Sequence, residues 1–454
     1  MVLKLYNTRT WRRETFKPLN GKTVKMYTCG PTVYWFAHVG NMRSYIFADV
    51  LKRVLVYNGF KVKHVINVTD VGHLTSDSDT GKDKLEISAK KEGKSAKEIS
   101  EFYFKAFLTD FKKLNLLEPD YWPKATAHIK EQIDLIKILE KKGYTYKTSD
   151  GIYFDSSKFK DYGKFSRKKI LGLEAGKRVE MKEKKNVSDF ALWKFSSGEG
   201  RLQEWDSLWG IGFPGWHIEC SAMSSKYLGK QFDIHTGAED LIPVHHENEI
   251  AQSEVAFGKS PWVNFWMHGA FLEIRGGKMS KSKGKVKTIS ELEKDGIDPL
   301  AYKYFTYTAH YRKPLTWSEE ALSSAISSFT RLKNIVLELK DDGKSNSIYL
   351  KKFKDCVNDD LDMPGAVAVL WNFLRDEKAS GKFKTIKEMD SVFGLELLKK
   401  ENIKIPLEIK RLGEERAKAR REKDWKQSDE LRSEIEKKGW TIKDGPNSYS
   451  LEKT

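Results

Sequence analysis

Cysteine is scarce in this chain of 454 residues, which contains only Cys29, Cys220 and Cys356. Three widely separated cysteines argue against the disulfide framework of a small secreted protein and favour metal binding or catalysis. The sequence also lacks any run of about 20 apolar residues and any N-terminal apolar segment of signal-peptide length. We therefore expect a cytoplasmic protein that does not insert into a membrane.

Acidic residues are also under-represented, since 81 lysines and arginines stand against 64 aspartates and glutamates, a formal net charge of +17. Residues 1–70 hold 12 basic and 3 acidic side chains, whereas residues 401–454 hold 14 and 12. Such a surplus favours a polyanionic partner, and a basic surface without a partner is the alternative. We expect attraction to phosphate to centre on the N-terminal half of the chain.

The succession of elements near the N-terminus predicts an α/β fold. The segment "KTVKMYTCGP" is typical of a strand ended by Gly30 and Pro31, and a helical pattern that ends at Gly59 and a second strand follow. A strand–helix–strand unit implies a parallel sheet that binds its ligand at the carboxyl ends of the strands. The stretch 144–187 is typical of an insertion, and the pattern from about residue 318 is helical. We predict an interrupted α/β domain, a helical domain and a small C-terminal module.

The stretch "HHENE" concentrates histidine and glutamate in a chain with few histidines. On a helix, His245 and Glu249 are four residues apart and share one face, a spacing that lets both side chains ligate one metal ion. Cys29 and Cys220, at other ends of the predicted sheet, could complete a set of ligands that suits zinc better than magnesium or calcium. His246 could replace His245. Core cysteines and an acidic helix start are the alternative explanation.

The tetrapeptide "HVGN" opens the first predicted helix. Helix N-termini present free amide groups to phosphate, and Gly40 permits close approach. His38 and Asn41 can hydrogen-bond the same anion. As a bare tetrapeptide this is a weak signal, and an ordinary capped turn is the commoner explanation of such a pattern.

The string "GGKMSKSKGK" predicts a glycine-rich basic loop. Its Lys278 and Lys281 can approach a polyphosphate and stabilise charge that develops during phosphoryl or nucleotidyl displacement. A plain basic loop is the alternative, which the ordered string "KMSKS" makes less attractive.

Several segments in order resemble the signatures of class I cysteinyl-tRNA synthetases, over nearly the whole chain. They are "CGPTVYWFAHVGNMRSY", "NVTDV", "GWHIECSAM", "DIHTGAEDLIPVHHENEIAQSE", "HGAFLEIRGGKMSKS" and "RREKDWKQSDELRSEIEKKGWTIKDGP". The resemblance implies an enzyme that activates L-cysteine with ATP and transfers it to the tRNA for cysteine. It also implies one zinc ion per chain, held by Cys29, Cys220, His245 and Glu249, and Mg²⁺ on the phosphates of ATP.

The resemblance assigns roles to further residues. It implies that phosphate charge is stabilised by His38, Gly40, Asn41, Lys278 and Lys281, with Asn41 in place of the second histidine of the commoner His-Ile-Gly-His form. It places Gly30, Thr69, Trp216, His235 and Asp240 in the amino-acid and adenylate pocket. It implies that the tRNA anticodon is read by Arg420, Trp425, Asp429 and Asp444. The alternative for the tail is a charged helix with Trp425 packed inward.

The implied architecture is a class I Rossmann-type catalytic domain with an insertion, a helical bundle and an anticodon-binding module. We expect the protein to be a monomer. Its expected segments are the two catalytic halves 1–123 and 201–270, the insertion 124–200, the "KMSKS" and stem-contact region 271–317, the bundle 318–400 and the module 401–454. Two alternative functions remain for the chain. It could be a ligase that joins cysteine to an amino sugar, or a non-catalytic zinc protein that binds RNA. The tail argues against the first, and "HVGN" with "KMSKS" argues against the second.

Overall fold

The computed structural model describes residues 2–72, 84–167, 183–196, 201–274, 277–278, 286–400, 406–445 and 449–453. Their strands are β1 (Lys4–Asn7), β2 (Arg12–Thr15), β3 (Thr23–Thr28), β4 (Lys61–Ile66), β5 (Thr145–Thr148), β6 (Gly151–Phe154), β7 (Phe190–Phe195), β8 (Gly212–Pro214), β9 (Phe232–Ala238), β10 (Val263–Gly269), β11 (Leu272–Ile274), β12 (Gly277–Lys278), β13 (Leu315–Trp317), β14 (Trp440–Asp444) and β15 (Tyr449–Lys453). Their α-helices are α1 (Val39–Tyr57), α2 (Lys84–Glu92), α3 (Ala96–Lys113), α4 (Ile129–Lys141), α5 (Trp216–Leu228), α6 (Glu247–Phe257), α7 (Ile289–Lys294), α8 (Pro299–Thr306), α9 (Glu319–Leu337), α10 (Ser347–Asn358), α11 (Met363–Arg375), α12 (Lys382–Phe393), α13 (Leu407–Arg421) and α14 (Trp425–Lys437).

A parallel sheet of four strands, in the order β10-β9-β3-β4, organises the larger of two units, Met1–Leu397. Its strands are largely apolar, and Val24, Met26 and Tyr27 of β3 are fully buried. Helix α1 connects β3 to the parallel strand β4, which confirms the predicted α/β fold and strand–helix–strand unit. The carboxyl ends of all four strands therefore meet at one edge of the sheet.

Helix α1 is buried over most of its surface and is held by paired charges. The carboxylate of Asp49 accepts from Arg53 Nε and from Lys303 Nζ of α8, each at 2.8 Å. Arg43 donates to the carbonyl oxygens of Ala270 at 2.8 Å and Lys313 at 2.7 Å. Buried cations are tolerated when they are paired in this way. These contacts fix the N-terminal turn of α1 relative to the segments that follow the sheet.

The insertion contains an antiparallel sheet in the order β5-β6-β7-β8. Strand β8 pairs with β7, with Trp193 opposite Pro214, so this sheet continues beyond residue 200, where the sequence led us to end the insertion. Gly215 follows β8 directly and is the N-cap of α5. The insertion therefore leads straight into the helix that carries Cys220.

The C-terminal unit, Leu398–Thr454, consists of two helices and a hairpin in its described part. Helices α13 and α14 pack on the antiparallel pair β14 and β15. Its small core is formed by Ile409, Leu412, Ile435, Trp440 and Ile442.

Within the described ranges, no helix combines the length and apolar character needed to cross a bilayer.

Candidate metal centre and active-site cavity

A cavity of about 320 Å³ opens at the carboxyl edge of the parallel sheet. The cavity wall includes eight of the predicted site residues, namely Cys29, Gly30, Asn41, Thr69, Trp216, Cys220, Asp240 and His245. Residues from the insertion, including Lys194 and Phe213, form part of the same wall. The predicted zinc ligands and pocket residues are thus brought to one place by strands and helices far apart in sequence.

The four predicted metal ligands converge beside this cavity. The ligand atoms of Cys29, Cys220, His245 and Glu249 all lie within 4.8 Å of one another. Nε2 of His245 is 3.0 Å from Oε1 of Glu249, as their four-residue spacing predicts. Cys29 follows β3, Cys220 lies on α5, and Glu249 lies in the first turn of α6.

The electrostatics of the cluster favour two anionic ligands. A hydrogen bond from Cys29 lowers the pKa of Cys220 to about 7, against the effect of burial. Burial raises the pKa of Glu249, but the neighbouring His235 and His245 outweigh it and leave that pKa below its ordinary value. Thiolate and carboxylate are the forms of these side chains that ligate metals.

The donor set fits a zinc ion. Oε1 of the fully buried Glu249 accepts no hydrogen bond of normal geometry from the residues described, although a buried carboxylate oxygen normally has a partner. Two sulfurs, one imidazole nitrogen and one carboxylate oxygen suit zinc. The four donors lie within 4.8 Å of one another, so small movements of their side chains would let them share one ion at bonds of about 2.0–2.3 Å.

A second group of possible ligand atoms also lies within 4.8 Å of one another, and it consists of Cys29, His235, His246 and Glu249. Nε2 of His246 lies 3.3 Å from Sγ of Cys29, while its Nδ1 is 2.7 Å from Nε2 of His268. Of this group only Cys29 lines the cavity, whereas Cys29, Cys220 and His245 all line it in the first group. Access to a ligand in the cavity therefore favours the group that contains His245.

His235 occupies a different place from the other predicted pocket residues. It is fully buried and does not line the cavity. Its Nε2 is 3.0 Å from Oε2 of Glu249, and its ring stacks on Trp266 with centroids 4.4 Å apart. This arrangement suits an orienting role, because His235 fixes the carboxylate of Glu249 from behind.

His217 is a site residue that the sequence reasoning missed. It lines the cavity, and its Nδ1 is 3.0 Å from Nδ1 of His245. Its backbone carbonyl accepts from Gln252 Nε2 at 2.6 Å. The only signal in the sequence was its position between Trp216 and Cys220 in "GWHIEC".

The "HVGN" turn forms a reciprocal cap at the start of α1. Nδ1 of His38 accepts from the backbone N–H of Asn41 at 3.2 Å, and Oδ1 of Asn41 accepts from the N–H of His38 at 3.1 Å. A Cβ at Gly40 would lie 3.0 Å from the His38 ring, so a larger residue here would press on the capping histidine. The capped turn expected as the alternative is therefore present, and it also places Asn41 on the cavity wall.

Gly30 and Thr69 are connected through a residue between them. The N–H of Gly30 donates to Asn67 Oδ1 at 2.8 Å, and Asn67 Nδ2 donates to Thr69 Oγ1 at 3.0 Å. A Cβ at Gly30 would lie 1.5 Å from the carbonyl oxygen of Asn67. Only glycine fits where β3 ends against the segment after β4.

Trp216 and Asp240 also lie on the cavity wall, four residues before Cys220 and five before His245 respectively. The Trp216 ring packs on His245, with ring centroids 4.6 Å apart. Asp240 is exposed.

Of the two predicted lysines of "KMSKS", only Lys278 falls within the described residues. The backbone of Lys278 lies in β12, paired with Glu273 of β11, and its side chain is outside the described part. Lys281 lies outside the described residues altogether.

Among the predicted anticodon readers, Trp425 and Asp429 are exposed, whereas Asp444 is bound by an arginine of the same unit. Trp425 is 57% exposed and is not packed inward, and the Arg420 guanidinium lies 5.6 Å from its ring centroid. Asp429 is exposed. Asp444 is instead engaged by Arg416, whose two terminal nitrogens lie 2.7 and 3.0 Å from its oxygens. This pair gives Asp444 a structural role, which the sequence reasoning did not foresee.

Comparison with known proteins matches both parts of the chain. Residues 15–327 match the model of the class I tRNA synthetase (C) catalytic domain, and residues 404–448 match that of the cysteinyl-tRNA ligase anticodon binding domain. Cysteine–tRNA ligase 1 of Burkholderia lata is 47% identical, over 99% of this chain and 97% of the relative. The cysteine–tRNA ligase of Treponema denticola is 42% identical, over 98% of each. The chain belongs to the cysteinyl-tRNA synthetase family.

The fold has relatives outside this family. A methionyl-tRNA synthetase of Mycobacterium tuberculosis, solved with methionyl-adenylate, superposes with a TM-score of 0.59 at 16% identity and covers 83% of this chain and 88% of its own. At that identity the likeness concerns the fold alone. Together with the family match, it confirms the predicted class I architecture.

The family match confirms the predicted enzyme class, a cysteine–tRNA ligase of class I. The amino-sugar ligase is not supported, because the relatives of the whole chain are cysteine–tRNA ligases and its tail matches an anticodon binding domain.

Proposed function

We propose that the chain forms cysteinyl adenylate from L-cysteine and ATP in the described cavity and transfers the cysteinyl group to the tRNA for cysteine. The observation that carries the proposal is the place of the ligand cluster. Cys29, Cys220 and His245 are at once candidate metal ligands and parts of the cavity wall. A metal site that opens into a substrate cavity can contact the substrate, whereas a closed structural site cannot.

Selection of cysteine would depend on the metal cluster. A zinc ion held by Cys29, Cys220, His245 and Glu249 would supply a direct bond to the substrate thiolate, for which the protonated hydroxyl of serine is a poor substitute. Shape alone separates such small side chains by only ~1–3 kcal/mol. His235 keeps the Glu249 carboxylate oriented. The hydrogen bond from Cys29 favours the thiolate of Cys220, and the neighbouring His235 and His245 favour the carboxylate form of Glu249.

The remaining cavity residues would hold the rest of the substrate. The ring of Trp216 lies against His245 and gives the cavity a flat apolar wall. Asp240 offers a carboxylate to the α-amino group of cysteine. Asn67 accepts from the N–H of Gly30 and donates to Thr69 Oγ1, which fixes both residues at the strand ends on the cavity wall.

The activation step would take place at the start of α1. The carboxylate of cysteine attacks the α-phosphate of ATP in line, and pyrophosphate leaves. The N-terminal turn of α1 presents its partial positive charge to the phosphates, with His38 and Asn41 as side-chain donors. Lys278 and Lys281 are expected to stabilise charge that develops in the transition state, and Mg²⁺ to accompany the nucleotide.

The C-terminal unit would identify the tRNA. The exposed Trp425, with Arg420 beside it, offers a surface on which an unpaired base can stack, and Asp429 offers a hydrogen-bond acceptor. This assignment leaves Asp444 the role of holding the arginines in place.

Exchange of label between pyrophosphate and ATP tests the activation step. The exchange should require L-cysteine and should not proceed with serine. In a second assay with labelled cysteine, the enzyme should transfer the cysteinyl group to the tRNA for cysteine and not to an amino sugar. Exchange without any dependence on cysteine would contradict the proposal, and so would transfer to the amino sugar alone.

A further inference from the structure

An exposed cluster of aromatic rings lies next to the cavity and is not used by the proposed activation step. It consists of the exposed rings of Trp35, Phe36 and Phe102, supported by the buried ring of Tyr103, and we call these four residues the aromatic platform. Trp35 and Phe36 are each 38% exposed and Phe102 is 47% exposed. Large aromatic side chains grouped on a surface mark a site of interaction more often than isolated ones do.

The aromatic platform is rigid. Trp35 stacks on Tyr103 with centroids 5.9 Å apart, and Phe36 meets Tyr103 edge-on at 4.9 Å. Tyr103 is buried in the core formed by α2, α3 and the segment before α1, and its hydroxyl donates to Glu92 at 2.6 Å. Rings held in this way lose little freedom when a ligand stacks on them.

Cations accompany the exposed rings. Nζ of Lys91 lies 5.5 Å from the Trp35 ring centroid, and Nζ of Lys94 lies 4.9 Å from that of Phe102. The nearby carboxylate of Glu92 is already bound by Tyr103 and, at 3.0 Å, by Lys94. Aromatic faces beside lysines are the combination that binds single-stranded nucleic acid, because bases stack on the rings while cations meet the phosphates.

The platform continues into the wall of the cavity. Tyr34, which precedes Trp35 directly, lines the cavity, and so does Leu85 of α2. Ser88 of α2 donates to the carbonyl oxygen of Tyr34 at 2.9 Å, which ties α2 to this rim. The aromatic platform therefore adjoins the cavity wall through Tyr34.

We propose that the aromatic platform binds the unpaired 3′ end of the acceptor tRNA and guides its last nucleotide into the cavity. The inference rests on the proposed transfer to tRNA and names the surface that receives the acceptor strand. An apolar protein partner would also fit exposed rings, but the lysines on the ring faces and the continuity with the cavity favour a nucleic acid strand.

The test compares two tRNA ligands and two variants of the full chain. The ligands are the intact tRNA for cysteine and the same tRNA without its unpaired 3′ nucleotides. Trp35→Leu keeps an apolar side chain but removes the stacking surface, and Trp35→Phe keeps a smaller one as the matched control. Affinities are measured at one fixed salt concentration, because phosphate contacts make them depend on salt.

Loss of one stacked base should weaken binding of intact tRNA to Trp35→Leu by between about 5- and 150-fold. Binding of the shortened tRNA should be equal in the parent and in Trp35→Leu, since a contact that is already missing cannot be lost again. Trp35→Phe should stay close to the parent with both ligands. Cysteine-dependent exchange should stay normal in both variants, because Trp35 belongs to none of the activation groups.

Equal affinity of the parent and Trp35→Leu for intact tRNA would overturn the inference and assign the platform to another partner. Equal weakening for both tRNAs would also overturn it, because the contact would then lie outside the 3′ end. Failure of the proposed function is distinguishable, since it would appear as absent cysteine-dependent exchange in the parent itself.

Discussion

Replacement of Asp444 by alanine should destabilise the C-terminal unit strongly. The guanidinium of Arg416 is fully buried and makes both of its short contacts, at 2.7 and 3.0 Å, to the Asp444 carboxylate. Removal of one partner of such a pair leaves a buried charge uncompensated and costs about 3–5 kcal/mol. The Asp444 side chain keeps 31% of its surface in solvent, so we expect the lower end, about 3 kcal/mol.

That loss is large relative to the unit itself. A unit of the size of Leu398–Thr454 has a total stability of roughly 3–9 kcal/mol. Hydrogen exchange of α13 and α14 in the full chain should therefore accelerate by about 150-fold for a loss of about 3 kcal/mol. The pKa of Asp444 is lowered by its hydrogen bonds from Arg416, so this stabilisation is complete above the ordinary aspartate pKa and is lost as pH falls through the folded-state value.

Two controls separate the buried charge from other effects. Arg432→Ala removes a partly exposed partner, 3.2 Å from Asp444, and should cost less than about 1 kcal/mol. Asp444→Ala combined with Arg416→Met should recover much of the loss, since no charge is then stranded. Unchanged exchange in Asp444→Ala would refute the reasoning. Asp429→Ala should keep the unit stable, so that reduced tRNA charging in this variant reports base reading.

Four further predictions concern the catalytic unit and its separation from the tail. Cys220→Ser should lose most of the zinc in metal analysis because a hydroxyl replaces a thiolate, and full zinc would remove Cys220 from the site. Gly30→Ala should lower the melting temperature, since its Cβ would lie 1.5 Å from the Asn67 carbonyl oxygen; an unchanged value would contradict that packing. Lys281→Ala should slow adenylate formation far more than it weakens cysteine binding, and pre-steady-state kinetics that show the reverse would give the loop another role. Truncation after about residue 400 should preserve cysteine-dependent exchange but reduce tRNA charging, and unchanged charging would refute anticodon reading by the tail.

The sheet and the convergence of the ligands could be predicted from the sequence. Parallel strands align their carboxyl ends, so residues placed just after β3 and β4, such as Cys29 and Thr69, had to meet at one edge. The spacing of His245 and Glu249 placed both on one face of a helical turn. Such inferences succeed because they depend on chain direction and local periodicity.

Whether a side chain faces the cavity, lies behind its wall or is exposed could not be predicted in the same way. Whether His235 faces the cavity or lies behind Glu249 is decided by Trp266, a residue on another strand. The buried partner of Asp444, Arg416, lies on a different element and appears in the sequence as one basic residue among many. Exposure of Trp425 likewise depends on how its helix packs. These features depend on tertiary packing, which a local pattern does not record.

Charging of purified tRNA for cysteine, with the zinc content of the enzyme quantified in the same samples, tests the central claim most directly. The account predicts one zinc per chain, charging with cysteine but not with serine, and loss of both zinc and charging in Cys220→Ser. His246→Ala should retain more zinc than His245→Ala. Full charging with cysteine by protein that contains no zinc would contradict the account, as would charging with serine at a comparable rate by the zinc-loaded enzyme.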